Sequence, residues 1–241
     1  GLLGCRHRRQ SRYQQLSVRV SSGRIFLDLY HHLFNGVSYI GQGSLFGSLA
    51  DRARLGLAAR FASVLLLATL TAAAAQISVP LPFTPVPFTF QPVLVLVGGA
   101  ALGSRLGAAS QVVYLTAAIV GLPVLAFSTV LPPGAARLLG PTGGYLMAYP
   151  FAAFLAGWLS ERGFDRHYLT SLLAMIIGLA VVFTGGVAWL AFFQPIPIGI
   201  DRALSAGLYP FLVLDLLKLV VAASILPTLW RLVGPRPSQQ F

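Results

Sequence analysis

The sequence predicts an all-α integral membrane protein of six transmembrane helices, with both termini in the cytoplasm. Three observations carry that prediction. Of 241 residues, 56% are hydrophobic and only 10% are charged, with a mean hydropathy of +0.77, whereas about a quarter of the residues in soluble domains are charged. The charges are unevenly placed, since residues 61–160 contain only Arg105 and Arg137. Apolar runs recur, each long enough to cross a hydrocarbon layer of about 30 Å.

Residues 1–55 read as a basic, Arg- and Ser-rich extension whose composition leaves a transit-like segment, a truncated extension and an over-long reading frame all open. Nine arginines in residues 1–60 against Asp28 and Asp51 supply most of the net charge of +11. A basic tail ahead of the first span is held in the cytoplasm and orients that span. It carries no nucleic-acid recognition motif, so no nucleic-acid partner is expected. Cys5, the single cysteine, lies in this tail, which excludes a disulfide framework and a cysteine metal site within the chain.

A membrane domain is expected over residues 56–232, followed by a cytoplasmic tail at 233–241. Its first span covers residues 59–78 and ends at five prolines within residues 80–92, a run that cannot be helical. Residues 93–127 are apolar but too long for one helix. Gly103, Arg105 and Gly107 supply a turn and a positive charge that divide them into spans at 89–104 and 107–125. After a loop carrying Arg137, a fourth span at 143–160 is kinked at Pro150 and closed by the charged turn at 161–166. A fifth span at 168–193 and a sixth at 205–230 are joined by a loop with Pro195, Pro197, Asp201 and Arg202. Arg105, Arg162, Arg166, Arg231 and Arg236 fall on the side of the amino-terminal tail, against Arg137 and Arg202 opposite, which places both termini inside.

Charges within a span cost several kcal/mol, so they face a bundle interior or a cavity and pair. Asp215 and Lys218 are such a pair, three residues apart on one face of the sixth span. They sit roughly 15 Å below its outer end. Sixteen of the 17 basic residues are arginine, so the only lysine is the one beside this aspartate. That choice suggests a need for a compact ammonium rather than a planar fork. Two readings stand: a polar site open to the outside, or a neutral pair that lets the helix insert and pack. Gln111 and Tyr114 share a face of the third span and are further polar candidates, with packing as the alternative role. Arg137 is placed to capture a carboxylate at a cavity mouth, unless it is simply solvated. Ala68 and Ala72 on the first span allow another helix, such as a partner's, to approach closely. The chain has no G-x-x-x-x-G-K-[ST] phosphate loop and no constellation for hydrolysis, so no catalytic residue, metal or cofactor is expected.

Three stretches then carry a resemblance: PLPFTPVPFT with Gln91 (residues 80–91), GPTGGYL (residues 140–146), and Pro210-Phe211 followed by Asp215-x-x-Lys218. Together, over about residues 60–230, the chain resembles the BioY family of biotin transporters. The resemblance implies a six-helix substrate-capture (S) component of an energy-coupling factor (ECF) transporter in the cytoplasmic membrane. Its partners would be a transmembrane coupling protein and two ATP-binding subunits. The segment with Pro82, Phe83, Pro85, Pro87, Phe88 and Gln91 would be a lid, with Phe83, Phe88 and Phe90 over the ligand rings. Asp215 and Lys218, with Tyr114 and Gln111, would contact the polar ligand groups. Arg137, Thr142 or backbone N–H groups would receive the carboxylate on chemical grounds alone. The alternative is a proton-coupled or facilitative secondary transporter of a small vitamin-like molecule, in which Asp215 and Lys218 relay a proton without ATPase partners. A purely structural membrane protein is the third reading.

Overall fold

Alanine- and leucine-rich runs form helices here, and Gly and Pro set where they stop. The structure, a computed structural model, describes residues 43–52, 56–126, 134–193 and 197–233. In chain order the elements are α1 (Leu45–Arg52), α2 (Leu57–Gln76), β1 (Ser78–Val79), β2 (Phe88–Thr89), α3 (Gln91–Leu102) and α4 (Ser104–Ile119). There follow a 3-10 turn (Ala135–Arg137), α5 (Gly143–Glu161), α6 (Tyr168–Ala188) with a π turn (Trp189–Phe193), α7 (Ile200–Gly207), α8 (Tyr209–Ala222) and α9 (Ile225–Val233). Among the described residues, three helical stretches are long and apolar enough to cross a membrane: Leu57–Gln76, Tyr168–Phe193 and Tyr209–Leu232. Helix α3 is apolar but has only 12 residues.

Helix α5 is the centre of the bundle, with Ala152, Ala153 and Ala156 fully buried. Small residues let its neighbours approach: a Cβ on Gly99 would come 2.6 Å from the Ala153 carbonyl oxygen, and one on Gly107 would come 2.7 Å from the Gly99 Cα. In lipid there is little hydrophobic drive between helices, so such close backbone packing carries the association of α3, α4 and α5. Gly103, at φ +92°, turns the chain between α3 and α4. The Glu161 carboxylate then accepts from Ser104 N at 2.8 Å and Ser104 Oγ at 3.0 Å, capping α4 from the end of α5.

The described structure departs from the sequence reading at five places. The proline-rich segment is not wholly irregular, because β1 and β2 pair antiparallel with Ser78 opposite Thr89 and Val79 opposite Phe88. The third span ends as a helix at Ile119, ahead of Gly121 at φ +97°. The sixth span is not continuous: α7 ends at Gly207, α8 restarts with Pro210 in its first turn, and a further turn precedes α9. Proline has no N–H to give to a preceding turn, so it tolerates a helix start and not a helix interior. Helix α1, assigned to the extension by sequence, packs on the bundle: Leu45 and Ala50 are buried and Ser44 Oγ donates to the Leu102 carbonyl at 3.3 Å. Finally, Ala68 is buried and Ala72 is packed on the core, both turned inward on the same stripe as Val64, Thr71 and Ala75. The outward ridge of α2 is instead Phe61, Ala62, Leu65, Leu66 and Leu70. Residues 1–42 and 53–55 of the expected extension, Pro132, Pro133, Pro195 and residues 234–241 lie outside the described residues.

At the end away from the ribbon, three elements are locked by one carboxylate. Trp230 Nε1 on α9 donates to Asp165 Oδ2 at 2.6 Å, and Arg166 Nε lies 3.3 Å from Asp165 Oδ1. The Arg166 guanidinium covers the Trp230 ring at 3.6 Å and also donates to the Gly43 carbonyl beside α1.

Candidate functional site

A chamber of about 620 Å³ opens at the ribbon end, between loop 80–89, the start of α3, and α5, α6 and α8. Small-molecule sites occupy about 300–1,000 Å³. Much of the wall is apolar, including Leu81, Val86, Leu146, Val182, Phe183 and Phe211. Polar atoms come from Gln91, Arg137, Thr142, Tyr145, Tyr149 and Asp215, with Gln76, Ser78 and Thr84 toward the ribbon.

Asp215 is 6% exposed and reaches the chamber from α8, with its Oδ1 held by Lys218 Nζ at 2.7 Å. The three-residue spacing on a helix brings the two together. Lys218 Nζ also donates to the Thr89 carbonyl at 2.8 Å and lies 3.4 Å from the centre of the Phe88 ring. An ammonium has three N–H donors and each is engaged here. Lys218 therefore stands behind Asp215, against the ribbon, and does not line the chamber.

Gln91, at the start of α3, is oriented by two contacts: its Nε2 donates to the Tyr114 hydroxyl at 2.5 Å and Thr89 Oγ1 donates to its Oε1 at 3.3 Å. Tyr114 in turn donates to the Val124 carbonyl at 3.3 Å, so it supports Gln91 from behind the wall. Gln111 is fully buried one turn away, bonded to Thr71 and Ser110, and does not reach the chamber. Its Oε1 has no hydrogen-bond partner among the described residues.

Arg137 is buried in the wall beyond Gln91 and donates to the Ala126 carbonyl, so it is not a solvated loop side chain. Burial holds its pKa below the usual guanidinium value, opposed by the neighbouring Tyr114 phenol. It remains a cation with five N–H donors. Thr142, at the entry to α5, shares its side of the chamber.

The segment expected to form a lid divides in two. Pro85, Pro87, Phe88 and Gln91 line the chamber, whereas Pro82 does not and Phe83 is 65% exposed. Phe90 also lies off the wall, edge-on to Phe88 at 6.3 Å. Thr84 pins the tip of the loop, its Oγ1 donating to the Ala206 carbonyl at 2.6 Å. Sequence reasoning missed Tyr145 and Tyr149, whose four-residue spacing on an otherwise alanine-rich helix was the available signal. It also missed Gln76, whose amide reaches the Pro123 and Leu125 carbonyls at 3.3 Å each.

The family model described as BioY matches residues 48–235. The "Probable biotin transporter BioY" of Pyrococcus horikoshii is 42% identical over 163 residues, covering 67% of this chain and 90% of that protein. The "Biotin transporter BioY" of Thermotoga maritima is 38% identical over 151 residues, covering 63% and 83%. A crystal structure of the S-component for biotin from an ECF-type ABC transporter superposes with a TM-score of 0.64 at 28% identity, covering 73% of this chain and 93% of that one.

Proposed function

This chain belongs to the BioY family, and we propose that it captures biotin outside a cell membrane as the S-component of an ECF transporter, without covalent chemistry of its own. One observation carries the reading: a largely apolar chamber beneath a pinned loop, with the Asp215 carboxylate in one wall and the Arg137 guanidinium in another. Biotin is complementary in kind, with a neutral ureido group at one end, an apolar ring and chain between, and a carboxylate at the other. Asp215 accepts from a ureido N–H, Arg137 and Thr142 receive the carboxylate, and Phe88, Val86 and Phe183 cover the apolar part. Lys218 and Tyr114 act from behind the wall.

The same reading assigns six crossings, to α2, α3, α4, α5, α6 with its π turn, and α8 with α9. Arg105, Arg162, Arg166 and Arg231, all away from the ribbon, support cytoplasmic termini. Transport is then powered by a transmembrane coupling protein and two ATP-binding subunits. Uptake of biotin by vesicles containing this chain alone, abolished by a protonophore, would replace the partner-driven reading with a secondary transporter.

Calorimetric titration of the purified protein with biotin tests the site. Asp215→Asn removes the charge that strengthens the ureido contact and leaves Lys218 uncompensated. It is expected to cost about 2–5 kcal/mol of binding, roughly thirtyfold or more. Unchanged affinity would sink the assignment.

A further inference from the structure

The polar atoms of the chamber differ in what they already hold. Thr84 Oγ1 is given to Ala206, the Tyr145 hydroxyl donates to the Gly207 carbonyl at 2.8 Å, and the Gln91 amide is given to Tyr114. Lys218 has its donors on Asp215, Thr89 and the Phe88 ring. Tyr149 is the deeply buried exception, beside the half-buried Ser78 and Thr142. It lines the chamber and is 3% exposed, yet its hydroxyl makes no hydrogen bond to the described residues. Nor is that oxygen one of the sealed, unpartnered atoms of the interior, so it opens onto the cavity.

Its level is set by the neighbouring turn. Tyr145 meets Gly207, where α7 ends, so Tyr149, one turn deeper on α5, comes level with Phe211 on α8, one turn short of Asp215. Tyr149 and Asp215 both line the chamber. Ser78 and Thr142, half-buried hydroxyls of the same chamber, lie nearer its rim. Thr142 precedes Tyr149 by seven residues, about 10 Å along a helix axis.

We propose that Tyr149 is a specificity-determining ligand contact whose hydroxyl donates to the ureido oxygen of biotin while Asp215 Oδ2 accepts from a ureido N–H. The proposal rests on the biotin reading above. A ureido group presents an acceptor and two donors in one plane, and its oxygen, once desolvated, needs a donor. With the lysine engaged elsewhere, the phenol supplies it. A tyrosine ring packed in a helix bundle also has little freedom left to lose on binding.

The experiment is calorimetric titration of the full chain and of Tyr149→Phe with two probes: biotin, and its analogue in which the ureido oxygen is replaced by sulfur, a weaker acceptor. The variant keeps the ring and is expected to melt as the unaltered protein does. It is expected to bind biotin about tenfold more weakly or worse, and the thio analogue with a clearly smaller loss. Equal losses for the two probes, or no loss for biotin, would overturn the assignment. Failure of the unaltered chain to bind biotin would overturn the functional reading beneath it, and the two failures are told apart by that control.

Discussion

Lys218 Nζ on α8 donates to the backbone oxygen of Thr89 on β2 at 2.8 Å, across 129 residues of sequence. The same ammonium holds Asp215 Oδ1 at 2.7 Å. The residue that compensates the chamber's carboxylate is thus also the fastening of the two-stranded ribbon. A compact ammonium can point its donors in three directions, toward a carboxylate, a carbonyl and a ring face; a guanidinium presents its donors in one plane. That is a physical reason for a lysine in a chain whose other 16 basic residues are arginine.

Lys218→Met should therefore fail in two ways at once. Asp215 is left as an unpaired buried charge, a loss of about 3–5 kcal/mol, and the ribbon loses its tie. The melting temperature in detergent is expected to fall, and chymotryptic cleavage at the exposed Phe83 to accelerate. Adding Asp215→Leu should restore most of the melting temperature, since two apolar side chains replace a buried pair at little cost. Cleavage should stay fast in the double variant because the Thr89 carbonyl is still unfastened. If cleavage slows together with the recovery of stability, Lys218 does not hold the ribbon.

The apolar runs made the helices legible because lipid permits few alternatives to them. The polar residues within them were equally legible as exceptions. Which way each one faces was not, since that depends on partners far off in sequence. Lys218 is engaged by Thr89, Tyr114 by Gln91, and Gln111 by Thr71, so polar residues expected at the ligand stand behind the wall. Tyr149 escaped notice for the opposite reason, because a tyrosine in an apolar helix is usually packing. The break at Leu208 had a local sign in Pro210, but a long apolar run outweighed it. The pairing of Ser78 with Thr89 had none, because two residues on each strand leave no pattern to read.

Arg137 is expected to set the preference for a carboxylate. The unaltered protein should bind biotin more tightly than biotin amide, and Arg137→Gln should erase most of that difference. A charge-assisted hydrogen bond is worth about 1.5–3 kcal/mol, or some ten- to a hundredfold in the ratio of affinities. Comparing two ligands in each protein cancels any general loss from releasing the Ala126 carbonyl. A ratio unchanged by the substitution would move the carboxylate to another group.

Asp165 gives the fold a pH dependence of predictable sign. It is 1% exposed, and burial pushes its carboxyl pKa above the usual value, opposed by the Trp230 N–H, Ser160 and Arg166. A carboxyl whose pKa is raised by folding adds most to stability while it is protonated. That contribution is complete below the unfolded value of about 3.9 and is lost as pH rises through the folded value. Asp165→Asn cannot ionise, so the melting temperature of the unaltered protein, measured relative to that variant, should decline as pH is raised from about 4. Parallel profiles for the two proteins would show that folding leaves this carboxyl at its ordinary pKa.

The two faces of α2 make opposite predictions for one substitution. Ala68 looks into the bundle at 8% exposure, whereas Ala62 is exposed on the outward ridge with Phe61 and Leu65. Ala68→Trp has no space to fill and must displace neighbouring helices, an overpacking cost of about 1–3 kcal/mol or more. Its melting temperature and its affinity for biotin should fall together. Ala62→Trp adds a side chain to the outside of the bundle, where lipid can accommodate it, and should leave both within error of the unaltered protein. Matching losses in the two variants, or a loss confined to Ala62→Trp, would mean that α2 is rotated about its axis from the packing described here.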